Sequence, residues 1–314
     1  TRKESSAASD VYKRQACEHP DKACHGESCP LAQGFYDRLA AAREAAVRAS
    51  SLDQQSLRTI ALAHQVCPYY LSQDLVRWSD VVVGDYNYYF DTSAMLYGLT
   101  VENDWRTAVL VDEAHNMVER ARKMYSAELT QSSFRVARKS APKSLRTVLD
   151  RVNRLWNDLY RDQETEYAVY HAIAEKFLFA LQQAGTDITD LMTDEPDSVS
   201  PELQRFYFDA MQFSKLAEVF GEHSMFDITR SMSLASKPQA TLCIRNIVPA
   251  PFLKQRFTTA HTVTLFSATL GPHHFYADML GLPDDTAWVD VESPFHAQQL
   301  AVRIASTIST RYQH

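Results

Sequence analysis

Two short apolar runs constrain this chain most, because each stops at side chains suited to chemistry. Ala108-Val109-Leu110-Val111 leads into Asp112-Glu113-Ala114-His115, and Thr262-Val263-Thr264-Leu265-Phe266 leads into Ser267-Ala268-Thr269. Short, continuous, β-branched runs of this kind read as buried strands. In open α/β sheets, ligands sit at the carboxyl ends of the strands. Val81-Val82-Val83-Gly84 reads as a further buried strand, and strand character returns at Thr241 to Val248 and Leu300 to Ile308. Helical signals surround these runs. Phe35 to Arg48 is Ala-rich, and Ser56 to Val66 carries Leu57, Ile60, Ala61 and His64 at helical spacing. From Asn116 to about Gly221 the pattern is nearly all helical: Leu145, Val148, Leu149, Val152, Leu155, Trp156 and Leu159 form one apolar stripe. Thr186 to Glu202, acidic and holding Pro196 and Pro201, reads as an exposed loop. The fold class expected is α/β with a large helical insertion.

Composition narrows the class. The chain has 314 residues, 45% apolar and 23% charged, enough for two or three domains with a proper core. No apolar stretch approaches the roughly 18 residues needed to span a membrane. Net charge is -7, so a nucleic-acid partner needs a local basic patch. The chain opens on Thr1 and ends within an apparent strand, and it is expected to be an internal fragment. Ser5 to Gln15 resembles a translated sequencing adaptor, so residues 1–15 are set aside as a non-native tail.

Four cysteines form the first constellation. Cys17, Cys24, Cys29 and Cys67 are spaced C-x6-C-x4-C-x37-C, and Pro68 follows the last. Thiols grouped without a secretion signal point to a metal centre more than to disulfides. Three clustered cysteines and a distant fourth suit a [4Fe–4S] cube. Zinc prefers tighter pairs, often with His, and stays open here with His19 and His25 nearby. Unconnected cysteines are the third reading. Cys243, in an apolar strand, reads as a small buried hydrophobe.

The Asp112-Glu113 pair is the second. Phosphoryl transfer from ATP needs one carboxylate to hold Mg²⁺, usually through water, and another to orient and deprotonate the attacking water. Adjacent Asp and Glu at a strand end can divide these tasks. With His115 behind them, the string reads as the DEAH box of nucleic-acid-dependent ATPases. Ser267-Ala268-Thr269 alone is a weak signal, since its hydroxyls more often cap helices.

The order of these motifs is similar to that of the XPD/DinG-type superfamily 2 DNA helicases (DEAD_2 and helicase C2). Val66-Cys67-Pro68-Tyr69-Tyr70, Val81 to Tyr88, Val109 to Asn116, Leu265 to Leu270 and Glu292-Ser293-Pro294-Phe295 carry the resemblance. It implies a partial RecA-like P-loop NTPase motor domain over 80–118 and 259–290. It further implies a four-Cys iron–sulfur insert over 16–79, a helical Arch insert over 119–258, and the start of a second motor domain over 291–314. The cysteines become ligands of a [4Fe–4S] cluster, Asp112 the Mg²⁺ carboxylate and Glu113 the base. His115, Ser267 and Thr269 become coupling residues between ATP and nucleic acid. Family members move 5′ to 3′ on single-stranded DNA and split forked duplexes in repair or replication. The expected protein is a monomeric motor in the cytoplasm, associated with the nucleoid and no membrane. Two departures are large: the sequence contains no G-x-x-x-x-G-K-[ST], and the second motor domain with its arginine finger is missing, so the chain is expected to hydrolyse nothing by itself.

Arg135, Arg138, Lys139, Lys143, Arg146, Arg151 and Arg154 face a single acid, Asp150, for a local net of +6. At the start of an Arch this run is the expected phosphate contact. Tyr69, Tyr70, Tyr86, Tyr88, Tyr89 and Phe90 could stack bases, although most of them neighbour a strand and read as core. The rival readings are a zinc-stabilised, non-catalytic DNA-binding module, and the helicase part of a helicase–nuclease fusion.

Overall fold

The computed structural model describes residues 17–22, 24, 26–49, 52–195, 198–232, 238–299 and 301. Three hydrophobic clusters organise residues 17–283. The first joins α1 (Phe35–Val47), α2 (Gln54–Ala63) and α3 (Pro68–Leu75). Ala42, Ala46 and Ala61 are fully buried, so the missing side-chain bulk lets these helices approach closely. Asp53 starts α2 with a capping box, its carboxylate accepting from the Ser56 amide at 2.8 Å. Pro68 opens α3, where a missing N–H costs nothing. Arg43 ties α1 to α3 through Asp74 at 2.7 Å.

The second cluster surrounds a parallel pair of strands. After α4 (Asn87–Phe90) and α5 (Met95–Glu102), β1 (Ala108–Val111) pairs with β6 (Thr262–Leu265), Ala108 opposite Thr262 and Val111 opposite Leu265. α6 (Met117–Met124), α11 (Ala250–Thr259) and α12 (His273–Leu280) close the core around Val111, Ala114, Met117, Tyr125, Leu253 and Leu280. The expected strand at Val81–Gly84 is absent: these residues carry no regular secondary structure, and Val83 is 94% exposed. A strand exists only with ladder partners, and among the described residues none pairs with it. Leu110 is likewise 72% exposed, on a face that parallel sheets normally cover.

The third cluster corrects the all-helical reading of 116–221. β2 (Ala127–Thr130), α7 (Gln131–Ser140), α8 (Arg146–Asp162), β3 (Tyr167–Tyr170), α9 (Glu175–Asp194) and α10 (Pro201–Glu218) lead to a long hairpin of β4 (Ser224–Met232) and β5 (Pro238–Asn246). The sheet order is β2-β5-β4-β3, antiparallel throughout. Four-residue strands such as β2 and β3 are too short to show a period against helical neighbours. The supposed loop Thr186 to Glu202 is mostly helix: α9 continues to Asp194 and α10 starts at Pro201, with Ser200 as its cap. Asp190, Asp194 and Glu202 lie exposed on helix turns rather than marking a break.

The helices cover one sheet face. Leu129, Phe226, Ile228, Leu242 and Ile244 point into them, and fully buried Trp156 sits among them, stacked on Phe134 with its indole N–H donating to the Ala240 carbonyl at 3.1 Å. The opposite face holds Glu128, Cys243 and Asp227 in register. Cys243 is buried there as expected. Asp227 accepts from Arg245 at 2.7 and 3.3 Å and in return holds the guanidinium well above the usual arginine range.

Residues 284–301 form a separate unit with one short turn of 3₁₀ helix, Ala297–Gln299. The tail 1–15 and most of the strand expected at Leu300 to Ile308 lie outside the described residues. Among the described residues no helix is long and apolar enough to cross a membrane.

Candidate nucleotide and coupling site

Parallel pairing puts the carboxyl ends of β1 and β6 side by side. The ladder continues past the strands: the Phe266 amide donates to the Val111 carbonyl at 3.0 Å, and the Ala114 amide to the Phe266 carbonyl at 3.1 Å. The chain then turns sharply. Glu113 adopts φ 49, a left-handed conformation that a non-glycine residue takes only where its surroundings impose it. Three features hold it. The Asp112 carboxylate accepts from the Glu113 amide at 2.7 Å, the Asn116 amide donates to the Glu113 carbonyl at 2.9 Å, and Ala114 is fully buried beneath.

This turn leaves the Glu113 carboxylate 61% exposed beside the second motif. His115 Nδ1 lies 2.7 Å from Ser267 Oγ and 3.1 Å from Glu113 Oε2, and Ser267 Oγ donates to Glu113 Oε2 at 3.4 Å. In the tautomer with a proton on Nδ1, His115 donates to Ser267 and the Ser267 hydroxyl donates to Glu113. Thr269 joins through its backbone amide, 3.3 Å from Ser267 Oγ. Residues 152 apart in sequence thus form one polar triangle, His115–Ser267–Glu113.

Tyr86 lies below the turn. Its hydroxyl donates to the Asp112 carbonyl and, at 3.1 Å, to the Glu113 carbonyl. Burial pushes the phenol up, so it remains a donor. The Arg120 guanidinium lies 5.3 Å from the Tyr86 ring and 3.2 Å from Asp85. Tyr86 stands in the sequence among aromatics that read as core, and no spacing announces a contact to a turn 26 residues away.

The cysteines are only partly gathered. Cys67 precedes α3, Cys29 is buried, and Cys24 is exposed. Burial pushes the Cys67 thiol up; the Tyr70 and Tyr69 amides oppose this, and Cys24 and Cys17 reinforce it. Cys17, Cys24 and Cys67 are therefore neighbours, and their soft sulfur donors suit a thiolate-bound metal. Among the described residues, however, no three His, Cys, Asp or Glu side chains converge in metal-binding geometry.

The basic run is divided. Arg138 pairs with Asp150 at 2.6 Å, Arg135 donates to the Pro238 carbonyl at 2.8 Å, and Arg151 lies 5.4 Å from the Phe179 ring. Lys139, Lys143, Arg146 and Arg154 are exposed. Of the aromatics, Tyr89 and Phe90 are core as expected.

Residues 2–134 match the DEAD_2 family model. The regulator of telomere elongation helicase 1 homolog of Anopheles gambiae is 32% identical over 119 residues, covering 37% of this chain and 12% of that protein. The human regulator of telomere elongation helicase 1 is 35% identical over 80 residues, covering 25% of this chain and 6% of that protein. The solved structure titled XPD_Helicase superposes with a TM-score of 0.48 at 19% identity, over 73% of this chain and 39% of that one. The chain thus spans a small part of the curated relatives it matches.

Proposed function

We propose that this relative of the XPD/DinG-type superfamily 2 helicases is part of an ATP-dependent DNA helicase, and that it holds the hydrolytic carboxylates and their coupling contact. The observation that carries the reading is the 2.7 Å contact between His115 and Ser267 across the β1–β6 ladder. A strand-end carboxylate pair alone is commonplace. One whose second member touches a hydroxyl from the neighbouring parallel strand is built to register movement of that strand. In this reading Asp112 holds Mg²⁺ through water, and Glu113 orients the attacking water and takes its proton. A change in the charge of Glu113 or in the bonds of His115 alters the pull on Ser267. The segment after β6 feels it, and that couples nucleotide state to grip on single-stranded DNA.

The sequence holds no G-x-x-x-x-G-K-[ST], so in this reading it turns over no ATP without a phosphate cradle. Translocation runs 5′ to 3′, on forked DNA in repair or replication, by a monomeric motor in the cytoplasm. Cys17, Cys24, Cys29 and Cys67 would hold a [4Fe–4S] cluster, which would clasp the N-terminal helices together. The exposed cations Lys139, Lys143, Arg146 and Arg154 take DNA phosphates. Glu113→Gln in the full-length protein should abolish ATP turnover and leave ATP binding intact; near-normal turnover would remove Glu113 from the role of base.

A further inference from the structure

The left-handed turn at Glu113 is held from within by the Asp112 and Asn116 hydrogen bonds and by buried Ala114, and one external brace joins them. We propose that Tyr86 is that brace: a positioning residue whose hydroxyl fixes the peptide planes of Asp112 and Glu113 and so aims the Glu113 carboxylate. This rests on the reading of Glu113 as the base.

The geometry is specific. One phenolic proton is shared between two successive carbonyls, those of Asp112 and Glu113. The two carbonyls belong to the peptide planes on either side of the Glu113 Cα, so turning both toward one donor restricts φ and ψ of Glu113 together. The ring itself cannot drift. Arg120, on the helix that follows the turn, lies against it and is anchored by Asp85, the residue preceding Tyr86. Asp85 also accepts from the Asn87 amide at 3.1 Å, which fixes the start of α4. Behind α4, Tyr125 donates to the Phe90 carbonyl and Arg256 donates to the Asp91 carbonyl at 2.7 Å. The brace therefore stands on a segment that is itself tied to the core. Without the hydroxyl, the backbone at 112–113 can relax toward an ordinary conformation. The carboxylate then swings away from the water it must orient while its chemistry is unchanged.

Tyr86→Phe removes one oxygen and keeps the ring under Arg120. In this chain the variant should melt within about 2 °C of the parent, yet amide exchange at Ala114 and Asn116 should speed up about tenfold or more. In the full-length protein kcat for ATP should fall about 10- to 100-fold, the cost of a small misplacement of a reacting group, while KM stays within about twofold. A merely structural role would lower the melting temperature and leave this kcat-against-KM split unmoved. Unchanged exchange, or a kcat within twofold of the parent while Glu113→Gln is dead, overturns the inference and leaves the base standing. If Glu113→Gln itself turns over ATP normally, the base is lost and this inference falls with it.

Discussion

Arg245→Met should be among the most damaging single substitutions outside the core proper. The Asp227 carboxylate is 2% exposed, on the helix-free face of the sheet, and Arg245 is its ion-pair partner. The arginine side chain is 50% exposed, so its charge is half solvated already and its own desolvation is modest. Removing it strands a buried anion. Breaking buried pairs by deleting one partner costs about 3–5 kcal/mol. The open side of Arg245 admits water once the guanidinium is gone, which places the expected loss near the lower end, about 3 kcal/mol. With a urea m-value of about 3 kcal/mol/M, the unfolding midpoint should drop by about 1 M. Adding Asp227→Leu should restore most of it, because Val169 lies beside position 227 and Met225 beside 245, and apolar side chains there have apolar neighbours. Urea titration followed by circular dichroism reads both. A midpoint shift under about 0.3 M for the single variant, or no recovery in the double, would show that the carboxylate is solvated and the argument from burial is wrong.

Changing Lys139, Lys143, Arg146 and Arg154 together to Gln should weaken binding of oligothymidylate to this chain and flatten its log–log salt slope by up to about 3, at about 0.7 per single-strand phosphate. An unchanged slope would return these cations to plain solvation. Anaerobically purified chain should hold about four iron and four sulfide, lost on Cys67→Ala; about one zinc without sulfide would favour the structural alternative.

The site was more legible than the fold around it, for a physical reason. Asp112, Glu113 and Ser267 follow strands whose apolar character is strong and local, so their position at strand ends could be read directly. Their meeting could not be read from either motif alone: it depends on a ladder between residues 108–111 and 262–265. β4 was missed because Asp227, Thr229 and Arg230 break its apolar pattern, and the reason Asp227 is tolerated there, Arg245, lies on the next strand. Val81–Val83 failed in the opposite way. Its composition is ideal for a strand, but composition supplies no hydrogen-bond partner.

The same ladder explains how a large insertion can stand inside the site. Ser267 meets His115 only if Val111 stays opposite Leu265; a slip of one residue moves the hydroxyl by about 3.3 Å and turns side chains to the other face. A segment of more than a hundred residues between two strands would ordinarily endanger that register. Here the outgoing and returning chains are tied together where they leave the core. The Asn246 amide donates to Ser126 Oγ at 2.9 Å, Arg122 donates to the Ile247 carbonyl at 2.9 Å, and β2 and β5 pair from the first residue, Ala127 opposite Ile244. To the core, the insertion is a closed stem, equivalent to a short loop from Ser126 to Asn246. Forces on its sheet and helices reach β1 and β6 through that stem and through Phe252 of α11, which packs against both the insertion's core and the strand core. Ser126 and Asn246, bonded at the mouth of the insertion, therefore help hold the register of β1 and β6 on which the contact between His115 and Ser267 depends.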